Sequence, residues 1–277
     1  MSVCDCHMHI FDARFPLSAK AVLASPKSAT VEQYRAVQAG LGSDHCVIVQ
    51  PSGYGVDNRC LVDALNQFHG AARGVAVIDE TVSEAELSDL QRAGVRGIRF
   101  NLVQTGATSI SMLEPLAARI APLGWHVQVH CTPATLRQIS GMLSALPVPV
   151  VLDHMGSVGA DGAALIARHR DALLDLMKQA HLWMKLSGPY LNSWSPEADV
   201  PELGKFVRDL AQLAPDRIVW GSDWPHVTEA TPPDDQLMVQ TLRQWVGNDS
   251  IWARVLWENP QRLYGFSLPQ TTIPSSN

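Results

Sequence analysis

Short apolar runs of strand length, rich in Val and Ile, alternate along the chain with longer stretches whose apolar positions recur at helical spacing. Eight strands are predicted: Val3–Ile10, Cys46–Ser52, Gly74–Ile78, Val95–Asn101, His126–Cys131, Val150–Gly156, Trp183–Gly188 and Ile218–Trp224. Helical patterns follow them at Val31–Gly40, Asp57–Phe68, Ser83–Ala93, Ser111–Ala121, Pro133–Ala145, Gly162–Ala180, Pro201–Leu213 and Pro233–Val246. Eight strand–helix alternations in about 250 residues are the arithmetic of an α/β (β/α)8 TIM barrel. The near-continuous apolar strands suit a parallel sheet covered by helices. Gly94, Gly124 and Pro149 stand just before strands, where a helix must stop and the chain turn. An open doubly wound sheet is the alternative, but no glycine-rich phosphate turn follows the first strand. Ile251–Tyr264 reads as a closing helix broken near Pro260, and Gln270–Asn277 as a loose polar tail. The expectation is one domain over residues 1–265 with a tail over 266–277.

Composition narrows the partners. The 277 residues carry 21 Lys and Arg against 27 Asp and Glu, a formal charge of −6 without a basic run. That balance disfavours nucleic acid or an anionic membrane as the main partner. At 46% hydrophobic and 17% charged, the chain is too apolar for disorder. No apolar stretch approaches a bilayer span. The start, MSVCDCHMHIFD, lacks the features of a signal peptide, and five cysteines without a dense framework suggest reduced thiols in a cytoplasmic protein. Cys4-x-Cys6 reads as two small side chains on a buried strand, since no second Cys pair completes a metal site.

The polar residues fall at the predicted carboxyl ends of the strands, where a barrel of this type gathers its active site. His7 and His9, two apart on the first strand, are expected to point together into the barrel mouth, with Asp5 sharing their parity one step deeper. Strand four ends with Arg99 and Asn101 on one face, strand five with Gln128 and His130, and strand six with Asp153-His154-Met155-Gly156. Strand seven gives Lys185-Leu186-Ser187-Gly188-Pro189-Tyr190, and strand eight Gly221-Ser222-Asp223-Trp224-Pro225-His226. A single histidine on a strand is more often a packed residue than a catalyst, and His45, His69, His169 and His181 are given no role. The conjunction is what matters: histidines ending strands one, five and six converge with an aspartate ending strand eight. Such a set supports two mechanisms for attack on an ester-like or amide-like carbonyl. Either imidazoles and Asp hold a divalent ion that acidifies water, or Asp223 takes a proton from water while imidazoles donate to the developing oxyanion.

Asp5-Cys6-His7-Met8-His9-Ile10-Phe11-Asp12 resembles the first-strand HxH signature of the amidohydrolase superfamily. Asp153-His154-Met155-Gly156 and Gly221-Ser222-Asp223-Trp224-Pro225 resemble its sixth and eighth strands in the "amidohydrolase 2" branch. Within that branch the chain is similar to the 2-pyrone-4,6-dicarboxylate lactonases and the galactarolactone isomerases, through Val49–Asn58 and Gly94–Asn101. The resemblance implies a TIM barrel and reaction at a lactone ring. It implies that His7, His9 and His154 polarise the lactone carbonyl and that Asp223 activates water, with no metal required. Other branches bind divalent ions through the equivalent residues. By that analogy His7, His9, His154 and Asp223 are the metal ligands if an ion, zinc foremost, is bound, and His130 joins them where the pyrone lactonases have a tyrosine.

The resemblance also implies an arginine clamp for two substrate carboxylates. Arg99 matches one arginine, but Thr105 stands where a second is expected, and Tyr190 and Leu191 follow strand seven in place of another. The expected substrate is therefore a small-molecule lactone with one free carboxylate and several hydroxyls, of sugar-acid or pyrone type. Asn101, Gln128, His130, Tyr54, Tyr190, Ser187 and Asn192 are candidates to contact it. Hydrolysis is the leading expectation. A lactone isomerase, a metal-dependent decarboxylase on the same fold and a carboxylate-binding barrel without chemistry are the alternatives.

Overall fold

The computed structural model describes residues 2–19, 21, 28–103, 106–197 and 200–266. Thr105, the tail Gln270–Asn277 and part of the loop Ala13–Ser28, expected to cover the mouth and set specificity, lie outside the described residues. Eight parallel strands follow one another around the sheet in chain order: β1 (Cys4–Met8), β2 (His45–Val49), β3 (Ala72–Ala76), β4 (Val95–Asn101), β5 (His126–His130), β6 (Val150–Leu152), β7 (Leu182–Leu186) and β8 (Ile218–Trp220). Helices α1 (Val31–Leu41), α2 (Arg59–Gln67), α3 (Glu84–Ala93), α4 (Leu113–Ile120), α5 (Pro133–Ala145), α6 (Ile166–Met177), α7 (Pro201–Leu213) and α8 (Asp235–Val246) alternate with them. The architecture is the expected (β/α)8 barrel. The chain then closes with α9 (Asp249–Ala253), a π-helical turn over Arg254–Glu258, and α10 (Asn259–Tyr264). The interruption falls just before Pro260, which has no N–H to continue the ladder.

Local chemistry places the helix ends. Thr30 and Ser83 form capping boxes with Gln33 and Glu86, satisfying orphan N–H groups at the starts of α1 and α3. Gly94 ends α3 in the left-handed region, at φ 105°, and leads directly into β4.

The barrel closes between β1 and β8, and this seam carries the site. Asp223 N donates to His7 O at 2.7 Å and His9 N to Trp224 O at 2.8 Å. The register of β1 shifts between Asp5 and Met8. Below the shift, Cys4 and Cys6 face the barrel interior with Val47, Val49, Val75, Val151 and Val219. The bulge then lets His7 face inward as well, breaking strict alternation. The expected shared parity of Asp5 with His7 and His9 is therefore corrected. Asp5 lies on the outer side, where it accepts from Tyr34 Oη on α1 at 2.9 Å and from Ser222 Oγ at 2.6 Å. Its Oδ1 takes the N–H groups of both His7 and Ser222, at 3.2 and 2.8 Å. A buried side chain thus supplies the acceptor that the bulged strand lacks, and pins β1 to the chain leaving β8. Burial raises the Asp5 carboxyl to about 6 despite the opposing hydrogen bonds from Ser222.

The close approach of the two segments needs Gly221. A Cβ there would lie 2.5 Å from His7 Cβ and 2.6 Å from His7 N. Gly221→Ala is expected to cost about 1–3 kcal/mol in denaturant unfolding and to lower activity by displacing His7. Wild-type stability and activity in that variant would show that β1 yields freely.

Candidate active site

β6 and β8 end earlier than their apolar runs suggest, at Leu152 and Trp220. The residues beyond them are turns with left-handed backbone: His154, Met155 and Ser157 after β6, and Asp223 (φ 68°) and His226 (φ 60°) after β8. Such conformations in non-glycine residues are sparsely populated and cluster at functional sites. They redirect His154 and Asp223 toward the barrel axis.

The four residues expected to carry the chemistry meet there. Asp223 Oδ1 lies 3.5 Å from His7 Nε2 and 3.6 Å from His9 Nε2, and Oδ2 lies 3.9 Å from His154 Nδ1. All four are at most 7% exposed. Burial alone would raise the Asp223 carboxyl, but His154, His9 and His7 together hold it well below the usual carboxylate range. Burial pushes the His7 and His154 imidazoles down, so neutral rings surround an ionised carboxylate.

A second buried layer supports the first. Asp153 Oδ2 accepts from Arg99 Nε at 3.2 Å and from Gln128 Nε2 at 3.0 Å. Lys185 Nζ donates to Gln128 Oε1 at 2.7 Å and lies 3.8 Å from Asp153 Oδ1. Burial would raise Asp153, yet His7, Lys185 and Arg99 keep it well below the usual range. Burial lowers Lys185 to about 8, with Asp153 opposing. His7 Nδ1 stands 3.4 Å from both Lys185 Nζ and Asp153 Oδ1. With Lys185 as donor, the ring proton sits on Nε2 and can be offered to an oxyanion. With Asp153 as acceptor, Nε2 presents a lone pair to a cation. His9 Nδ1 donates to Val49 O at 2.8 Å, which leaves its Nε2 turned to Asp223.

The residues fit a divalent ion. His7 Nε2 is buried without a hydrogen-bond partner among the described residues. With His9 Nε2 and Asp223 Oδ1 it forms a group whose ligand atoms all lie within 4.8 Å of one another, and His7, Asp153 and His154 form another. Nitrogen and carboxylate donors at that spacing suit zinc.

The candidate substrate contacts divide. Arg99 commits only Nε to Asp153, and the rest of its guanidinium has no partner among the described residues. His130 packs on His154, ring centroids 4.7 Å apart, with Nδ1 unpartnered among the described residues. Burial, reinforced by His154 and Arg99, lowers it to about 3. Gln128 is a correction: it is fully buried and both amide atoms are engaged, so it braces Asp153 and Lys185 instead of meeting substrate hydroxyls. Tyr54 Oη is likewise taken, by the backbone N and O of Asp12, and its role is to tie two loops. Asn101 Nδ2 donates to Ser52 Oγ at 2.9 Å, and Ser187 Oγ pairs with His154 Nδ1 at 3.0 Å. Asn192 bonds His154 O and Gly159 N, holding the turn after β6. Tyr190 donates to Asp223 Oδ2 at 2.6 Å. Burial and the neighbouring carboxylate push its phenol far up, so it remains a donor. Sequence reasoning gave Asp153, Lys185 and His226 no function. The available signal for the first two was a charge inside an apolar strand run, since such residues are rarely buried unless paired.

This geometry, imidazoles gathered around a buried carboxylate at the carboxyl ends of barrel strands, is compatible with a divalent ion. Residues 4–266 match the family described as Amidohydrolase, and the chain belongs to it, as a lactonase-like enzyme of the amidohydrolase superfamily. The chain is 34% identical over 272 residues to a 2-pyrone-4,6-dicarboxylate hydrolase of Comamonas testosteroni, covering 94% of this chain and 89% of that one. It is 31% identical over 271 residues to a 4-sulfomuconolactone hydrolase of Rhizobium radiobacter, covering 94% and 89%. It is 32% identical over 251 residues to the D-galactarolactone isomerase of Agrobacterium fabrum, covering 87% and 83%. Among solved structures, a probable 2-pyrone-4,6-dicarboxylic acid hydrolase from Acinetobacter baumannii, with citric acid bound, superposes with a TM-score of 0.85 at 26% identity, over 96% of this chain and 100% of that one. Among the described residues, no helix is long and apolar enough to cross a membrane.

Proposed function

We propose that this enzyme hydrolyses a lactone carrying one free carboxylate. The observation that carries the reading is the position of Asp223, ionised, buried and bracketed by three imidazoles. Asp223 takes a proton from water as the water oxygen attacks the acyl carbon. The carbonyl electrons move to oxygen, where His7 Nε2–H, set by Lys185, donates to the oxyanion. Collapse of the adduct breaks the ring C–O bond. The proton held by Asp223 passes to the leaving alkoxide, and the new carboxylic acid releases its proton to solvent. A divalent ion held by His7, His9 and Asp223 would supply Lewis-acid polarisation of the carbonyl and a more acidic water.

The open end of Arg99 supports a carboxylate-bearing substrate, because a guanidinium edge pairs with carboxylate through two parallel hydrogen bonds. The bound tricarboxylic acid in the Acinetobacter relative agrees with that class of ligand. A lactone isomerase is the second reading, favoured by the Agrobacterium relative; there an internal hydroxyl replaces water. A panel of sugar-acid and pyrone-carboxylate lactones in 18O-water separates the two. Hydrolysis places label in the product carboxylate, whereas direct acyl migration leaves the product unlabelled. Arg99→Met is expected to raise KM at least tenfold, about 1.4 kcal/mol, for lactones with a carboxylate and much less for the corresponding esters. Equal effects on both would remove Arg99 from substrate binding.

A further inference from the structure

Asp223 is tethered at its second oxygen. Tyr190 Oη, in the loop after β7, donates to Asp223 Oδ2 at 2.6 Å. A phenol has one proton, and so short a contact to a carboxylate takes it. Tyr190 Oη also lies 3.2 Å from His226 Nδ1, so there the phenolic oxygen accepts and the imidazole donates. His226 is 2% exposed. Its Nε2 lies 3.2 Å from Asp235 Oδ1, an ion pair when the ring carries both protons, and neither atom has a hydrogen-bond partner among the described residues. Asp235 is the first residue of α8, with its side chain one-fifth exposed. The four groups run in single file from the cavity to the outer helix layer. His226 reaches its place in this file through a left-handed backbone, as Asp223 does.

We propose that Asp235 is a positioning residue for Asp223, holding the carboxylate's orientation through His226 and Tyr190. The terminal torsion of an aspartate is broad, so a base buried among several donors needs a fixed partner to keep one oxygen aimed at substrate. Here the tether engages Oδ2, and Oδ1 stays turned toward His7 and His9. Loosening the far end of the file lets the carboxylate rotate away from its productive angle, which lowers the rate of the chemical step and leaves substrate binding at Arg99 in place. The inference rests on the reading of Asp223 as general base.

The test is kcat and KM for Asp235→Ala and Asp235→Asn, each made in the wild type and in Tyr190→Phe. Asp235→Ala should lower kcat about five- to tenfold, with KM unchanged within about twofold. Asp235→Asn retains an accepting oxygen and should recover most of that loss. In Tyr190→Phe, where the file is already cut, Asp235→Ala should cause no further loss. The same fractional loss in both backgrounds overturns the proposal, as does a loss confined to KM or to melting temperature. A second arm needs no substrate: NMR of 15N-histidine-labelled protein reads the ring-nitrogen signal of His226, assigned by its absence in His226→Gln. That signal should shift in both Asp235→Ala and Tyr190→Phe, and a signal unmoved by either overturns the file. If the wild type turns over no lactone, the functional reading fails separately, and this arm alone decides the tether.

Discussion

Replacing Asp223 by Asn should abolish turnover while leaving the protein folded and able to bind its substrate. The amide keeps the size of the side chain and one accepting oxygen, so the 2.6 Å contact from Tyr190 can persist. What disappears is the lone pair basic enough to take a proton from water. General-base catalysis contributes roughly 10²- to 10⁴-fold, and the loss in kcat should fall in that range or beyond. Asp153, the other buried carboxylate, has one oxygen bonded to Arg99 and Gln128 and the other near Lys185 and His7. Activity above a tenth of wild type would remove Asp223 as the base. The pH profile gives the same claim a sign. The imidazoles hold the Asp223 carboxyl below its ordinary value. The active, ionised form should therefore persist through the range near pH 4 where a free aspartate protonates, and kcat/KM should fall only at lower pH. The linked stability is present above the unfolded pKa of about 3.9 and is lost as pH drops through the lower folded value.

Asp153→Ala should be among the most destabilising single changes in the barrel. Among the described residues, Asp153 is the one carboxylate paired with both Arg99 and Lys185. Both cations are at most 5% exposed. Removing the anion leaves two like charges in a medium that penalises each, at about 3–5 kcal/mol. For a chain of this size that corresponds to a fall in melting temperature of roughly 6–20 °C. The penalty has a pH dependence set by Lys185. In the folded wild type its proton is held to about pH 8, with Asp153 opposing the effect of burial; in the variant the proton leaves earlier. The stability gap should therefore narrow as pH rises toward 8 and level off above it. Asp153→Asn, which still accepts hydrogen bonds, should cost less. A melting temperature for Asp153→Ala within two degrees of wild type would mean that the polar layer is not held by its central charge.

The architecture was legible because it is written in single segments. Near-continuous Val- and Ile-rich runs, helical spacing between them and a glycine or proline before several strands, as at Gly94, Gly124 and Pro149, are properties of consecutive residues. The ranges Val95–Asn101, Pro133–Ala145 and Pro201–Leu213 coincide with β4, α5 and α7. The convergence of His7, His9, His154 and Asp223 was legible for a related reason: strand order in a barrel follows chain order, so residues ending successive strands must share one mouth.

Other features were settled only by contacts between segments distant in sequence. Alternation predicted Asp5 to face inward with His7, but β1 bulges where it must meet the chain leaving β8, and the side chain turned outward to Tyr34 and Ser222. Gln128 has the same-face spacing of a substrate contact, yet its depth places it among Asp153 and Lys185. The file from Asp235 to Asp223 joins a helix start, two turns and a loop across 45 residues, and left-handed backbone at two of its positions aims it. Periodicity fixes which way a side chain leaves its own strand. Which partner it finds depends on the stagger between strands and on turns that break the period, and packing decides both.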